Sequence, residues 1–173
     1  INGYADELEK LLNDSRKSTQ IENELIATNA YSIAEDPTKN LIVPKAKPEV
    51  PYLDFSPLQN ALATLKKGTD SLQIAYQANI NDKKASPNFN QSLYRAEQQL
   101  LNKDGLPRRD WYKHTMYAPG FYTGYGVKTM PGIREAIEQR NWKEAQDQIE
   151  IAANAIANYT REVEAASKIL MLR

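Results

Sequence analysis

The feature that most constrains this chain lies near its C-terminal end. Trp142, Ala145, Ile149, Ala152, Ile156, Tyr159, Val163, Ala166 and Leu170 recur in alternating steps of three and four. That spacing puts every member on one face of an α-helix. It predicts a helix of about thirty residues, roughly 45 Å long at 1.5 Å per residue. Asn141 is the expected N-cap, with Glu144 three residues on as its capping-box partner. Alanine at alternate seam positions lets a second helix approach closely. The seam reads first as that of a core helix of a bundle; the sharper alternative is that part of the helix also serves a subunit interface.

Elsewhere helical patterns dominate and alternating strand patterns are scarce. Residues 2–31 hold no proline; Leu8, Leu11 and Leu12 form one apolar stripe, and Leu25, Ile26 and Ile33 a weaker one. The polar stretch 13–20 is expected to divide this region into two helices. Pro37, Pro44, Pro48 and Pro51 then make residues 36–51 an extended arm, flexible unless Leu41-Ile42-Val43 docks on the helices. Ser56 reads as an N-cap, Pro57 as the first helical residue and Gln59 as the capping-box partner. Leu58, Leu62, Leu65, Leu72 and Tyr76 continue that helix, with Gly68 as a weak point, and the polar run 79–86 ends it. A third helix is expected over 88–102 with Leu93, Leu100 and Leu101 inward, stopped by Gly105 and Pro107. The fold class is therefore all-α: a bundle of about four principal helices, a proline-rich arm and one irregular loop.

Composition limits the chemistry. The 173 residues suit one domain, and 22 lysines and arginines balance 22 aspartates and glutamates. A net charge of zero argues against a general nucleic-acid binder. There is no cysteine and one histidine, His114, so a disulfide scaffold, a thiol nucleophile and a cysteine-ligated zinc are excluded. No catalytic or metal-ligating residue is expected here. A chain beginning at Ile1, without a charged-then-apolar leader, is expected to be part of a longer protein. Its apolar runs are far short of the roughly 20 residues a membrane span needs. Asn-x-Ser/Thr triplets stand at Asn13, Asn90 and Asn158 and matter only if the parent chain is secreted.

The irregular loop changes the character of the sequence. Between positions 111 and 125 lie Trp111, Tyr112, Tyr117, Phe121, Tyr122 and Tyr125, and Gly120, Gly124, Gly126 and Gly132 follow or intersperse them. Aromatics give rigid contact area with polar handles, and glycines permit turns and close approach. Long segments without periodicity are usually functional or disordered, and this composition is not that of disorder. A functional loop is the stronger reading, beside an aromatic plug between helices. Gly120-x-x-x-Gly124 lacks the Gly-Lys-Ser/Thr of a phosphate loop, and Gly124-x-Gly126 is too short for a dinucleotide fingerprint. His114 is expected to pack beside aromatics and bond the backbone. Arg108, Arg109 and Lys113 read as a small solvated basic cluster.

The run Gly105-Leu106-Pro107-Arg108-Arg109-Asp110-Trp111-Tyr112-Lys113-His114-Thr115-Met116-Tyr117-Ala118-Pro119, followed by Met130-Pro131-Gly132-Ile133, resembles the transferrin-receptor-like dimerisation domain. That domain belongs to the glutamate carboxypeptidase family, which includes prostate-specific membrane antigen and the transferrin receptor. Tyr117, Ala118, Pro119, Pro131, Gly132 and Ile133 carry the structural motif, and a helix follows Pro-Gly-Ile. The fit runs well from about residue 54 onward and poorly before it. It implies that 1–173 is one helical dimerisation domain, not catalytic alone. Its parent would be a single-pass membrane protein with this domain extracellular or lumenal.

The resemblance implies a homodimer, in which the domain contacts its parent's peptidase and apical domains and covers one side of the peptide-binding cleft. Zinc is then the cofactor of the parent's peptidase domain, with no ligand in this chain and no nucleic-acid partner. In glutamate-specific members a Lys-Tyr pair in the loop binds the carboxylates of a C-terminal glutamate. Tyr125 keeps the tyrosine, but Gly124 stands in the lysine position, with Lys128 a candidate to compensate if the loop folds back. The resemblance thus implies weak or absent glutamate preference. The alternative is a non-catalytic receptor or sorting protein of the same family, and more distantly an unrelated helical adaptor.

Overall fold

The computed structural model describes residues 2–33, 42–80 and 87–172. Pro37, Leu41, the end of the polar run at 81–86 and the side chain of Ile33 lie outside the described residues. Two compact units divide the chain: Asp6–Tyr52, and Ile1–Ala5 together with Leu53–Arg173.

The Asp6–Tyr52 unit contains most of α1 (Asn2–Ala27), α2 (Ala30–Ile33) and an arm, residues 42–52, without regular secondary structure. The expected break at 13–20 does not occur; α1 runs unbroken for 26 residues. Arg16, Lys17 and Gln20 are good helix formers, and the hydroxyls of Ser18 and Thr19 donate to the carbonyls of Asp14 and Ser15, each at 2.8 Å. A polar run on a helix is a solvated face. It is not a terminator. The helix stops instead before Asn29, whose φ of 56° is left-handed. Leu8 and Leu12 are buried, whereas Leu25 is exposed and Ile26 half-buried, so these two members of the later stripe form no core.

Prolines deny the arm its own ladder, and side chains of α1 supply partners. Asn23 donates to the Lys47 carbonyl at 2.8 Å and accepts from the Lys47 N–H at 2.9 Å. Arg16 donates to the Pro51 carbonyl at 3.0 Å, and Lys47 pairs with Glu22 at 2.6 Å. The arm is pinned at 47 and 51. Ile42 and Val43 remain exposed, so neither residue docks.

The larger unit is a bundle built on α6 (Trp142–Met171), which packs against α3 (Ser56–Asn79), α4 (Pro87–Gln98) and α5 (Pro131–Glu138). Ala145, Ile149, Ala152, Ile156, Val163, Ala166 and Leu170 are buried, with Trp142 and Tyr159 half-buried. Ala153, Ala155, Thr160 and Ser167 are buried as well, so the burial extends beyond one stripe. The seam is spent inside the bundle. The Asn141 side chain accepts from Glu144 N at 3.4 Å, as the cap predicts.

Three local expectations are corrected. Ser56 is not the N-cap of α3; Phe55 is, and the Asp54 carboxylate accepts the Ser56 N–H at 2.9 Å. Hydrogen bonding from the Ser56 side chain, and after it from this N–H, holds Asp54 below its ordinary pKa. The inward face of α3 is Leu58, Leu62, Leu65, Gly68 and Ala75, leaving Leu72 half-buried and Tyr76 exposed. The third helix ends at Gln98 with Ala96 and Leu100 buried, while Leu93 and Leu101 are exposed. In both cases a small residue takes the contact, because close helix approach leaves no room for a large one. The principal helices α1, α3, α4 and α6 agree with the all-α reading; α2 and α5 are short additions. No helix among the described residues is long and apolar enough to cross a membrane.

Candidate functional site: a glycine–tyrosine hairpin

After α4 the chain doubles back on itself. Asn102 N donates to Lys113 O at 2.8 Å, Thr115 N to Leu100 O at 3.0 Å, and Leu106 N to Tyr112 O at 2.9 Å. This brings the chain into β1 (Tyr117–Pro119), which pairs antiparallel with β2 (Val127–Thr129). Tyr117 faces Thr129, Ala118 faces Lys128 and Pro119 faces Val127. Strands of three residues are too short to print an alternation, which is why the sequence reads as irregular here.

Residues 120–126 form the hairpin loop. Gly120 N donates to Gly126 O at 2.8 Å and Gly124 N to Gly120 O at 2.9 Å, closing the loop on itself. Gly124 has a φ of +64°, a conformation L residues rarely adopt, and supplies the reversal. Tyr125 follows it fully exposed at 103% relative accessibility, with Tyr122 and Val127 also exposed. These rings plug nothing. Phe121 meets Tyr122 edge-on at 4.9 Å between centroids, and the guanidinium groups of Arg108 and Arg109 lie 5.8 and 5.7 Å from the Phe121 ring.

The loop is held by a buried anchor on α5. Arg109 Nη2 lies 2.7 Å from each carboxylate oxygen of Glu135, and Phe121 N donates to Glu135 at 2.8 Å. Arg109 also donates to the Pro119 carbonyl. Reading Arg109 as a solvated cation is thereby corrected, because its partner sits 26 residues away and no local spacing marks the pair. Arg108 is a clamp too, giving two bonds to Glu144 at 2.8 and 2.9 Å; these hold its pKa above the ordinary value. Lys113 donates to the Lys103 carbonyl at 2.7 Å.

Ala118, Pro131, Gly132 and Ile133 are buried where β1 and α5 meet the core, whereas Tyr117 and Pro119 are exposed. Met130 precedes α5 at a φ of 42°, with its side chain buried and its N–H on Met116 O at 2.8 Å. The Lys128 ammonium pairs with Glu138 of α5. Gly124 and Tyr125 stand together at the tip, and Lys128 is engaged at the root. His114 packs against Tyr117 at 3.9 Å between centroids with the rings tilted by 36°, and its Nδ1 accepts from Met116 N at 3.2 Å and Tyr117 N at 3.4 Å. Packing and backbone bonding are as expected. Burial pushes its pKa below the ordinary value, with the Glu97 carboxylate opposing. Among the described residues there is no group of three or more His, Cys, Asp or Glu side chains placed to hold a metal ion.

Residues 53–164 match the family model of the transferrin receptor-like dimerisation domain. The chain belongs to that family, and the match opens at Leu53, where the larger unit resumes. It is 33% identical over 115 residues to a probable glutamate carboxypeptidase of Arthroderma benhamiae, covering 64% of this chain and 16% of that protein. It is 32% identical over 111 residues to a probable glutamate carboxypeptidase of Arabidopsis thaliana, covering 60% and 16%. An inactive zinc metalloprotease of Schizosaccharomyces pombe is 26% identical over 89 residues, covering 51% and 11%. The chain thus spans only about a sixth of the length of the first two relatives.

Proposed function

We propose that this chain is the dimerisation and cleft-covering unit of a glutamate-carboxypeptidase-like zinc metallopeptidase, and is not catalytic alone. The observation that carries the reading is the family match over a bundle that holds out a rigid aromatic hairpin. A loop fixed at its root by Arg109 and Glu135, with Tyr125 exposed at its tip, is built to be completed by another surface. That surface is the peptidase domain of the parent, which supplies zinc and the catalytic groups and binds a peptide substrate against the hairpin. The parent is membrane-anchored, with this domain on the extracellular or lumenal side.

The second partner is another copy of the chain. The heptad-like seam is buried within the bundle, so self-pairing uses a different face. A shallow groove of about 390 Å³ runs between α3 and α6, lined by Ala61, Thr64, Ala153, Ala157, Arg161 and Glu164 among others. Small residues there admit a second helix pair without opening the core. A standard two-fold interface buries about 1,600 Å² in total. Sedimentation equilibrium over a hundredfold concentration range tests this directly. A dimer is expected, and Ala157→Arg is expected to shift it to monomer with unchanged helical circular dichroism. A strict 19.6 kDa monomer throughout would remove self-pairing by the chain alone.

One observation favours a second reading, a non-catalytic receptor or sorting protein: a relative over half this chain is named an inactive metalloprotease. Zinc content of the purified parent separates the two.

A further inference from the structure

The three Asn-x-Ser/Thr triplets sit in different surroundings. Asn90 is the fourth residue of α4, exposed together with Pro87, Asn88 and Gln91, while Phe89 and Ala96 turn inward. Asn13 is exposed on α1, but its amide oxygen accepts from Arg16 at 2.8 Å and the acidic Asp14 stands in the middle of its triplet. Asn158 lies half-buried in mid-α6 among buried Ala155, Ile156 and Thr160. The Thr160 hydroxyl that completes this triplet donates to the Ile156 carbonyl at 2.8 Å, inside the bundle.

We propose that Asn90 is the N-glycosylation acceptor of this domain, with occupancy falling in the order Asn90, Asn13, Asn158 and the last bare. The proposal rests on the reading that the parent enters the secretory compartment. In the transfer, Asn90 Nδ2 forms a bond to the anomeric carbon of a lipid-pyrophosphate-linked oligosaccharide. The bond from that carbon to the pyrophosphate oxygen breaks, the lipid pyrophosphate leaves with the electron pair, and one Nδ2 proton passes to a base. At Asn90 the sugar projects from a helix turn already in water, so it displaces no packing. At Asn158 it competes with helix contacts that the fold requires, and a chain modified there does not complete its bundle. Asp14 places a negative charge beside the Asn13 amide, where it repels the anionic donor.

Glycopeptide mass spectrometry tests the order on the full-length parent expressed in eukaryotic cells, with and without an added cleavable secretion leader. Enzymatic deglycosylation in heavy-oxygen water marks each asparagine that carried a glycan. The expected result is near-complete marking at Asn90, partial marking at Asn13 and none at Asn158. Asn90→Gln and Ser92→Ala should each remove one glycan, while Ser92→Thr keeps it. A bare Asn90 in the leader-directed chain, a marked Asn158, or Asn13 marked above Asn90 would overturn the assignment. Marking at Asn90 only when the leader is present supports the site and overturns the secretory reading of the natural parent.

Discussion

Arg109 and Glu135 form a buried ion pair, with side chains only 6% and 3% exposed, and the Glu135 carboxylate also accepts the N–H of Phe121. One carboxylate therefore neutralises a buried guanidinium and fixes the first residue after Gly120. Removing one member of such a pair strands a charge, at a cost of about 3–5 kcal/mol. Arg109→Met and Glu135→Leu are each expected to lose that much stability in urea unfolding. The double variant should lose much less than the sum, because the stranded charge is gone and only the Phe121 N–H and Pro119 carbonyl are left short. Hydrogen exchange at the Phe121 amide should quicken in all three.

Two glycines should respond in opposite directions. A Cβ on Gly68 would lie 3.5 Å from Glu164 Cγ and Thr160 Cγ2, ordinary contact within a regular helix. Gly68→Ala is expected to stabilise by about 0.5–1 kcal/mol through reduced freedom of the unfolded chain. Gly105 has a φ of +76°, and a Cβ there would fall 2.3 Å from the Asp110 carbonyl oxygen, which is backbone and cannot swing away. Gly105→Ala should lose more than about 2 kcal/mol, since strain and overlap add. Thermal melting of the two variants beside the parent sequence decides both.

Acid should weaken the fold through His114. Burial lowers its folded pKa below the ordinary value of 6.5, so the unfolded chain binds the extra proton more readily. The contribution is complete above about pH 6.5 and is lost as pH falls through the lowered folded value. The neutral ring is also the one whose Nδ1 can accept from Met116 and Tyr117. His114→Asn, which keeps an acceptor near the Nδ1 position, should flatten the dependence of urea midpoint on pH in this range. An unchanged slope would place the sensitivity elsewhere.

What was legible in the sequence was whatever repeats along it. The α6 seam and its Asn141 cap could be read because a helix prints its buried face every three or four residues, and α6 is long enough to print it many times. Helix interiors are harder to read where small residues carry the contact: Gly68, Ala75 and Ala96 are buried, whereas the apolar pattern points to the larger Tyr76 and Leu93, which are exposed. The hairpin was found by its composition and motif but not by its strands. Its anchor was invisible, because Arg109 and Glu135 meet only after the chain has doubled back, and no period links positions 26 apart.

The last prediction concerns the hairpin tip and follows from the proposed cleft-covering role. Gly124 stands where glutamate-specific relatives are expected to hold a lysine, and no atom lies within 4 Å of a Cβ built there. A lysine side chain would therefore have room to reach across a cleft, beside the exposed Tyr125. Lys128 is poorly placed to substitute, since its ammonium is paired with Glu138 at the root. A charge-assisted hydrogen bond to a substrate carboxylate is worth about 1.5–3 kcal/mol, or roughly ten- to a hundredfold in selectivity. The φ of +64° costs an L residue about 1–2 kcal/mol, which lowers the stability of the loop but is common to both peptides and leaves their ratio unchanged. Gly124→Lys in the full-length parent is thus expected to raise the kcat/KM ratio for peptides ending in glutamate over those ending in glutamine by about ten- to a hundredfold. Tyr125→Phe in that background should lower the ratio again, while Lys128→Met in the parent sequence leaves it unchanged. A ratio unmoved by Gly124→Lys would mean that the tip does not face the substrate's terminal side chain.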